Sequence, residues 1–171
     1  MTLAPDWRVD SAFNATTPPT LASLRGRVVL LHAFQMLCPG CVSHGLPQAE
    51  RVRARFEPEG LAVIGMHSVF EHHDAMRPRA LAAFLHEYRV TYPVLVDAHR
   101  DGDPVPSTMR AYGWRGTPSL TLIDRQGRVR FSHFGVVDDL VLGAWIGRLQ
   151  AETDATDCTP EGCALPAPLG A

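Results

Sequence analysis

The sequence contains no lysine; all sixteen of its basic residues are arginine. Schiff-base and lysine general-base chemistry are thereby excluded. No apolar run approaches the ~20 residues that cross a bilayer as a helix. The first twenty residues, MTLAPDWRVDSAFNATTPPT, lack the basic stretch followed by an apolar one that marks a secretory signal. These absences predict no membrane insertion and a cytoplasmic location, or a periplasmic one if the natural N-terminus was trimmed. Neither sign of charge dominates, since 18 acids against 16 arginines leave a formal net charge of -2. The one locally basic stretch, RVRARF from Arg51 to Phe56, has Glu50 and Glu57 beside it. It reads as a solvated helix face, so no nucleic-acid partner is expected. Cysteines number only four, too few for a disulfide scaffold, and fall in two close pairs, Cys38/Cys41 and Cys158/Cys163. In a reducing compartment such pairs are more often catalytic or metal-binding.

What is present is enough for one core, with 171 residues of which 46% are hydrophobic. We expect an N-terminal extension over 1–20, a domain over 21–152, and a mobile tail over 153–171 where periodicity gives way to Pro, Ala and acids. RVVLLHAF (Arg27 to Phe34) and LAVIGMHS (Leu61 to Ser68) read as buried strands, and YPVLVD (Tyr92 to Asp97) as a shorter one. Val42, Leu46, Ala49, Val52 and Phe56 lie near helical spacing, with Pro47 predicting a kink. Leu81, Phe84, Leu85 and Tyr88 mark a second helix, for which Asp74 is a plausible N-cap. SLTLID and VRFSHFG around RQGR read as a β-hairpin, and a last helix starts near Asp138. This order implies an α/β fold: a mixed central sheet, mostly parallel with an antiparallel C-terminal hairpin, and helices on both faces.

Cys38 and Cys41, in CPGC, therefore stand at a strand-to-helix turn. There the unpaired N–H groups of the first helical turn and the positive end of the helix dipole stabilise a thiolate. Cys38 is the expected nucleophile and leaving group, and the more buried Cys41 the resolving thiol. Pro39 supplies no N–H to the thiolate, whereas Gly40 leaves its amide unobstructed. Zinc sites use the same spacing, but no second C-x-x-C or nearby C-x-x-H completes a set of four ligands. No metal and no cofactor beyond the cysteine pair is expected.

The pieces GRVVLLHAF into CPGC, then LAVIGMHS, FLHEYRVTYPVLVD and AYGWRGTPSLTLIDRQGRV, cover roughly residues 20 to 150. Their order and spacing resemble the thioredoxin-fold thiol-disulfide proteins, in particular the redoxin or TlpA-like branch. The resemblance implies a thiol-disulfide oxidoreductase acting on a protein or small-thiol substrate, as a reductase in a reducing compartment, and as a monomer or homodimer. It implies that Thr117-Pro118 is the cis-proline step that faces the cysteines, pairs with substrate and keeps metal away from the thiols. His32, six residues before Cys38, occupies the place of the family's buried acid and is a candidate proton acceptor for Cys41, or else a plain core histidine. Glu71 lies near an acid that the family places by the thiols, and the alternative is a loop glutamate without a role. Two departures stand out: Leu37 replaces the usual tryptophan, and Pro47 comes one residue late.

Trp114 is a candidate for the substrate groove or for packing. His67, His72 and His73 read as a solvated cluster and not as a metal site. Cys158 and Cys163 in CTPEGC form either an electron relay to the main pair, or else a local disulfide or two adventitious thiols on a tail. A peroxiredoxin-like thiol peroxidase is the first rival, but Gln35 stands where a hydroxyl residue is wanted, and no proline lies between Gly26 and Cys38. A metal-binding or assembly module is the second.

Overall fold

The computed structural model describes residues 2–100 and 102–152, with the backbone of two short strands near the C-terminus. A six-stranded sheet is built from β1 (Val9–Phe13), β2 (Val28–Phe34), β3 (Leu61–His67), β4 (Val94–Asp97), β5 (Ser119–Ile123) and β6 (Val129–Phe134). Its spatial order is β1-β4-β3-β2-β5-β6. The two seven-residue runs, β2 and β3, are buried at every position and pair in parallel, with His32 beside Gly65 and Phe34 beside His67. Strand β4 continues the parallel part, and β5 and β6 add the antiparallel hairpin on the far side of β2. Strand β1 closes the other edge antiparallel to β4, so the N-terminal segment contributes a strand that its Thr- and Pro-rich surroundings did not signal.

Helices α1 (Leu46–Phe56), α2 (Pro78–Glu87), α3 (Ser107–Ala111) and α4 (Asp139–Ala151) complete the chain. Alternation along β2 divides the core in two. Val28, Leu30 and Phe34 face the layer covered by α1, α2 and α4. Val29, Leu31 and Ala33 face Met109, Trp114 and the N-terminal segment. Helix α4 starts next to Asp138, where a helix start was expected, and Asp138 caps it, its carboxylate accepting from the N–H groups of Leu140 and Val141 at 2.9 and 3.2 Å.

Two local expectations are corrected. Asp74 does not cap α2, because Pro78 opens that helix and holds the preceding Arg77 extended at ψ 158°. Asp74 pairs with Arg77 instead. The kink at Pro47 takes the form of a wide turn: Cys41–Gly45 is one turn of π-helix, closed by the N–H of Leu46 donating to the carbonyl of Cys41. Proline cannot donate to the carbonyl four residues back, and the wider turn accommodates that missing bond.

The strands β7 (Cys158–Thr159) and β8 (Gly162–Cys163) pair antiparallel with Cys158 opposite Cys163. The remainder of the tail lies outside the described residues.

Candidate active site

Strand β2 ends at Phe34, and the next four residues turn Cys38 toward the N-terminal end of the helical segment. The Cys38 N–H donates to the carbonyl of Gln35 at 3.2 Å, and the N–H groups of Cys41 and Val42 donate to the carbonyl of Cys38. Cys38 is partly exposed and Cys41 fully buried, both as free thiols. The Cys38 thiol donates to the carbonyl of Thr117 at 3.3 Å, and its sulfur accepts from the N–H of Cys41, also at 3.3 Å. The second contact favours a thiolate, since an N–H can donate to it; the first belongs to the protonated thiol, because a carbonyl only accepts. Burial, reinforced by the Cys38 sulfur beside it, pushes the Cys41 thiol up to about 12. The pair is thus asymmetric, with one accessible sulfur and one that holds its proton.

The Thr117-Pro118 peptide bond is cis. Pro118 lies against the cysteine turn so closely that a Cβ on Gly40 would stand 3.3 Å from its Cδ. Gly40 therefore serves close approach as well as leaving an amide free. Among the described residues no three His, Cys, Asp or Glu side chains converge as a metal site.

His32 sits on β2 directly beneath the π turn. A Cβ on Gly45 would meet its Cε1 at 2.7 Å and Pro118 Cβ at 3.4 Å, so ring, turn and cis-proline form one packed unit. The ring stacks on Phe34 at 5.6 Å, its Nε2 is buried without a partner, and burial pushes its pKa down to about 4. The neutral imidazole is therefore the stable form near pH 7. Glu71 is exposed on the loop after β3 and reaches the cysteine turn through Gln35, whose amide donates to it at 3.5 Å and accepts from the N–H of Phe70 at 3.3 Å. Gln35 and Gly45 were not singled out from the sequence as site residues. A buried amide three residues before Cys38 and a glycine in a helical turn were the available signals.

The other candidates lie apart. Trp114 is buried, donating its indole N–H to Thr121 Oγ1 at 3.1 Å and packing on Tyr112. It borders a pocket of about 170 Å³ that Arg115, Ser132 and Phe134 also line. His67 is buried against Phe34, whereas His72 and His73 are exposed on the loop, with His73 edge-on to His99. Around the cysteines the exposed apolar residues are Leu37, Phe134 and Val136. The last two flank Gly135, whose N–H donates to the carbonyl of Pro118 at 2.8 Å.

Comparisons with known proteins agree with this geometry. The Redoxin family model matches residues 2–140. A crystal structure of a thioredoxin-like superfamily protein is 54% identical, with a TM-score of 0.87 over 90% of this chain and 99% of that one. A thiol-disulfide isomerase from Corynebacterium glutamicum is 48% identical, with a TM-score of 0.83 over 88% and 98% of the two chains. Protein DipZ of Mycobacterium bovis is 31% identical over 121 residues, which are 71% of this chain and only 16% of that protein. The chain belongs to the Redoxin family, with the thioredoxin-like fold of the thiol-disulfide oxidoreductases.

Proposed function

We propose that this chain exchanges disulfides with protein substrates through Cys38, with Cys41 as the resolving thiol. The observation that carries the reading is the asymmetry of the two sulfurs: Cys38 is accessible and supported by an N–H, and Cys41 is buried and protonated. Cys38 attacks the substrate disulfide and forms a mixed disulfide. Cys41 then attacks Cys38, forming the internal disulfide and releasing the substrate thiol, so that two electrons pass to the substrate. The exposed Leu37, Phe134 and Val136 suit an apolar segment of a protein beside the scissile disulfide. No cofactor enters these steps, and reduction in a cytoplasmic setting is the direction we assign. His32, packed against Gly45 and Pro118, acts as a positioning residue for the turn that carries Cys41. Glu71 acts through Gln35 on the loop that carries Cys38.

Two measurements test this. A Cys41→Ser variant should trap mixed disulfides with protein partners in a lysate, and a Cys38→Ser variant should trap none. In glutathione buffers the Cys38-Cys41 pair should show a two-electron transition near the roughly -270 mV of thioredoxin. A value near -120 mV would reverse the direction, and no reversible transition would sink the exchange reading.

A further inference from the structure

The segment that carries the cis-proline also carries a cation that the exchange steps have not used. Trp114 and Gly116 are buried, and Arg115 between them is exposed. The ring of Phe134 lies so close to Gly116 that an added Cβ would stand 2.8 Å from its Cε2 and 3.2 Å from its Cζ, an approach that glycine alone allows. The Ser119 hydroxyl donates to the Gly116 carbonyl at 2.7 Å, which ties the segment to β5. The Arg115 guanidinium lies over the same Phe134 ring, 5.6 Å from its centroid, and this contact gives the cation a preferred place beside the cis-proline step. Ring, backbone and cation are thus arranged before a substrate arrives.

Arg115 has no acceptor within the chain. Seven other arginines pair with carboxylates, whereas among the described residues nothing accepts from the N–H groups of Arg115. The pocket of about 170 Å³ that it lines with Ser132 and Phe134 contains no carboxylate. Two further donors on its wall are committed, the Trp114 indole to Thr121 and the Ser119 hydroxyl to Gly116. The pocket therefore offers one free charged donor, and the group that a guanidinium takes best is a carboxylate. Its place sets it apart from other unpaired arginines such as Arg79. Thr117, whose carbonyl meets the Cys38 thiol at 3.3 Å, is two residues from Arg115. An extended substrate advances about 3.4 Å per residue with alternating side chains, so along this segment a residue two places from its cysteine comes level with Arg115.

We propose that Arg115 selects protein disulfides bearing an acidic residue two places from the cysteine that Cys38 attacks, the carboxylate docking on the guanidinium over Phe134. The inference rests on the exchange reading above and adds to it the charge of the substrate. Leu37 and Val136, 57% and 54% exposed around the cysteines, ask for apolar neighbours in the same segment. A tripeptide thiol lacks them, so the carboxylate belongs to a protein segment. Arg115 acts in recognition alone and takes no part in the exchange of bonds.

The test uses the full-length reduced protein, with Cys158 and Cys163 changed to serine, and peptides whose single cysteine is joined to a chromophoric aromatic thiol. The Cys38 thiolate attacks the peptide sulfur, the disulfide from Cys38 to the peptide forms, and the aromatic thiolate leaves with the electron pair of the broken bond. Otherwise identical peptides carry Glu or Gln two places before or two places after the cysteine. The better of the two glutamyl peptides should react about fivefold faster than its glutaminyl twin, the upper range for an exposed ion pair. That preference should fade toward about 1 M salt, where screening acts within roughly 3 Å. Arg115→Gln should abolish it and Arg115→Glu should reverse it, and the ratio of ratios cancels the peptides' own reactivity. Arg79→Gln, which removes an exposed and unpaired arginine from α2, should keep the fivefold difference. Arg115 is likewise exposed and unpaired, so its variants should fold as the parent does. Glutamyl and glutaminyl peptides that react within about 1.5-fold of each other, or a preference that survives Arg115→Gln, would overturn the inference and leave the exchange reading standing. A glutathione mixed disulfide that outpaces both glutamyl peptides would overturn the choice of a protein segment. A parent that releases no more aromatic thiolate than Cys38→Ser overturns the exchange reading itself.

Discussion

Gly45 should be the glycine of this fold that tolerates a methyl group least for reasons of contact and not of backbone. Its φ and ψ of -61° and -51° are helical, so in an open helix alanine would stabilise the chain by about 1 kcal/mol. Here the new Cβ would stand 2.7 Å from His32 Cε1, 3.2 Å from its Nε2 and 3.4 Å from Pro118 Cβ. The imidazole has little room to retreat, since it stacks on Phe34 and lies on a strand whose every residue is buried. Overpacking of this kind costs about 1–3 kcal/mol, and against the helical gain we expect a net loss of roughly 0–2 kcal/mol for Gly45→Ala. A fall in the urea midpoint at unchanged slope measures it. The sharper test is the cycle with His32→Ala. With the ring gone, the methyl group keeps only the ordinary 3.4 Å contact with Pro118 Cβ, and the same substitution should become neutral or stabilising. That gives a coupling of about 2 kcal/mol. If Gly45→Ala stabilises the parent, or if the coupling falls below about 0.5 kcal/mol, His32 is not packed beneath the turn and its positioning role fails.

Burial holds both His32 and His67 near a pKa of about 4, below the 6.5 of an unfolded histidine. As pH falls the unfolded chain binds these protons first, so their contribution is complete above about pH 6.5 and is lost between there and about pH 4. At 1.36 kcal/mol per unit each histidine accounts for on the order of 3 kcal/mol. Urea midpoints should therefore fall steeply through that window, and His67→Leu should remove about half of the slope; a flat profile from pH 6.5 to 4.5 would refute the assignment. Gly40→Ala, whose Cβ would press on Pro118 Cδ at 3.3 Å, should slow exchange with a protein disulfide by up to about tenfold while sparing a small aromatic disulfide. Equal rates on the protein substrate would show that the cis-proline does not position it.

The parts of the fold that depend on periodicity were legible. Strands β2 and β3 are unbroken apolar runs, and the hairpin of β5 and β6 announces itself through RQGR. Strand β1 was hidden because an edge strand needs few apolar residues, and its sequence VDSAF is only partly buried. The cysteine pair and its proline were legible because C-x-x-C and Thr117-Pro118 are local motifs. Gln35 and Gly45 were not, because their meaning lies in what stands across from them: Glu71 and the Phe70 N–H for one, the His32 ring and Pro118 for the other.

The length of chain between α4 and the second cysteine pair limits how far that pair can reach. Helix α4 begins at the thiol end, where the Gln48 side chain donates to the carbonyl of Val137 and to Asp139. It ends at the far end, where the Gln150 side chain donates to the carbonyl of Glu59 just before β3. Its thirteen residues rise about 20 Å between the two. Five residues, 153–157, separate Glu152 from Cys158, and the six Cα steps reach at most about 21 Å when fully extended. A return to Cys38 along the same helix would take nearly the whole of that length, and a tether so taut gives a negligible effective concentration. Transfer of electrons from Cys158/Cys163 to Cys38-Cys41 should therefore run between molecules. Chains carrying Cys38→Ser and Cys41→Ser, once reduced, should reduce chains that carry Cys158→Ser and Cys163→Ser at a rate proportional to concentration. The unmodified protein should follow the same second-order law. A transfer in the unmodified protein whose rate did not change on dilution would mean that the tail folds back after all, and that the length of α4 is not what keeps the two pairs apart.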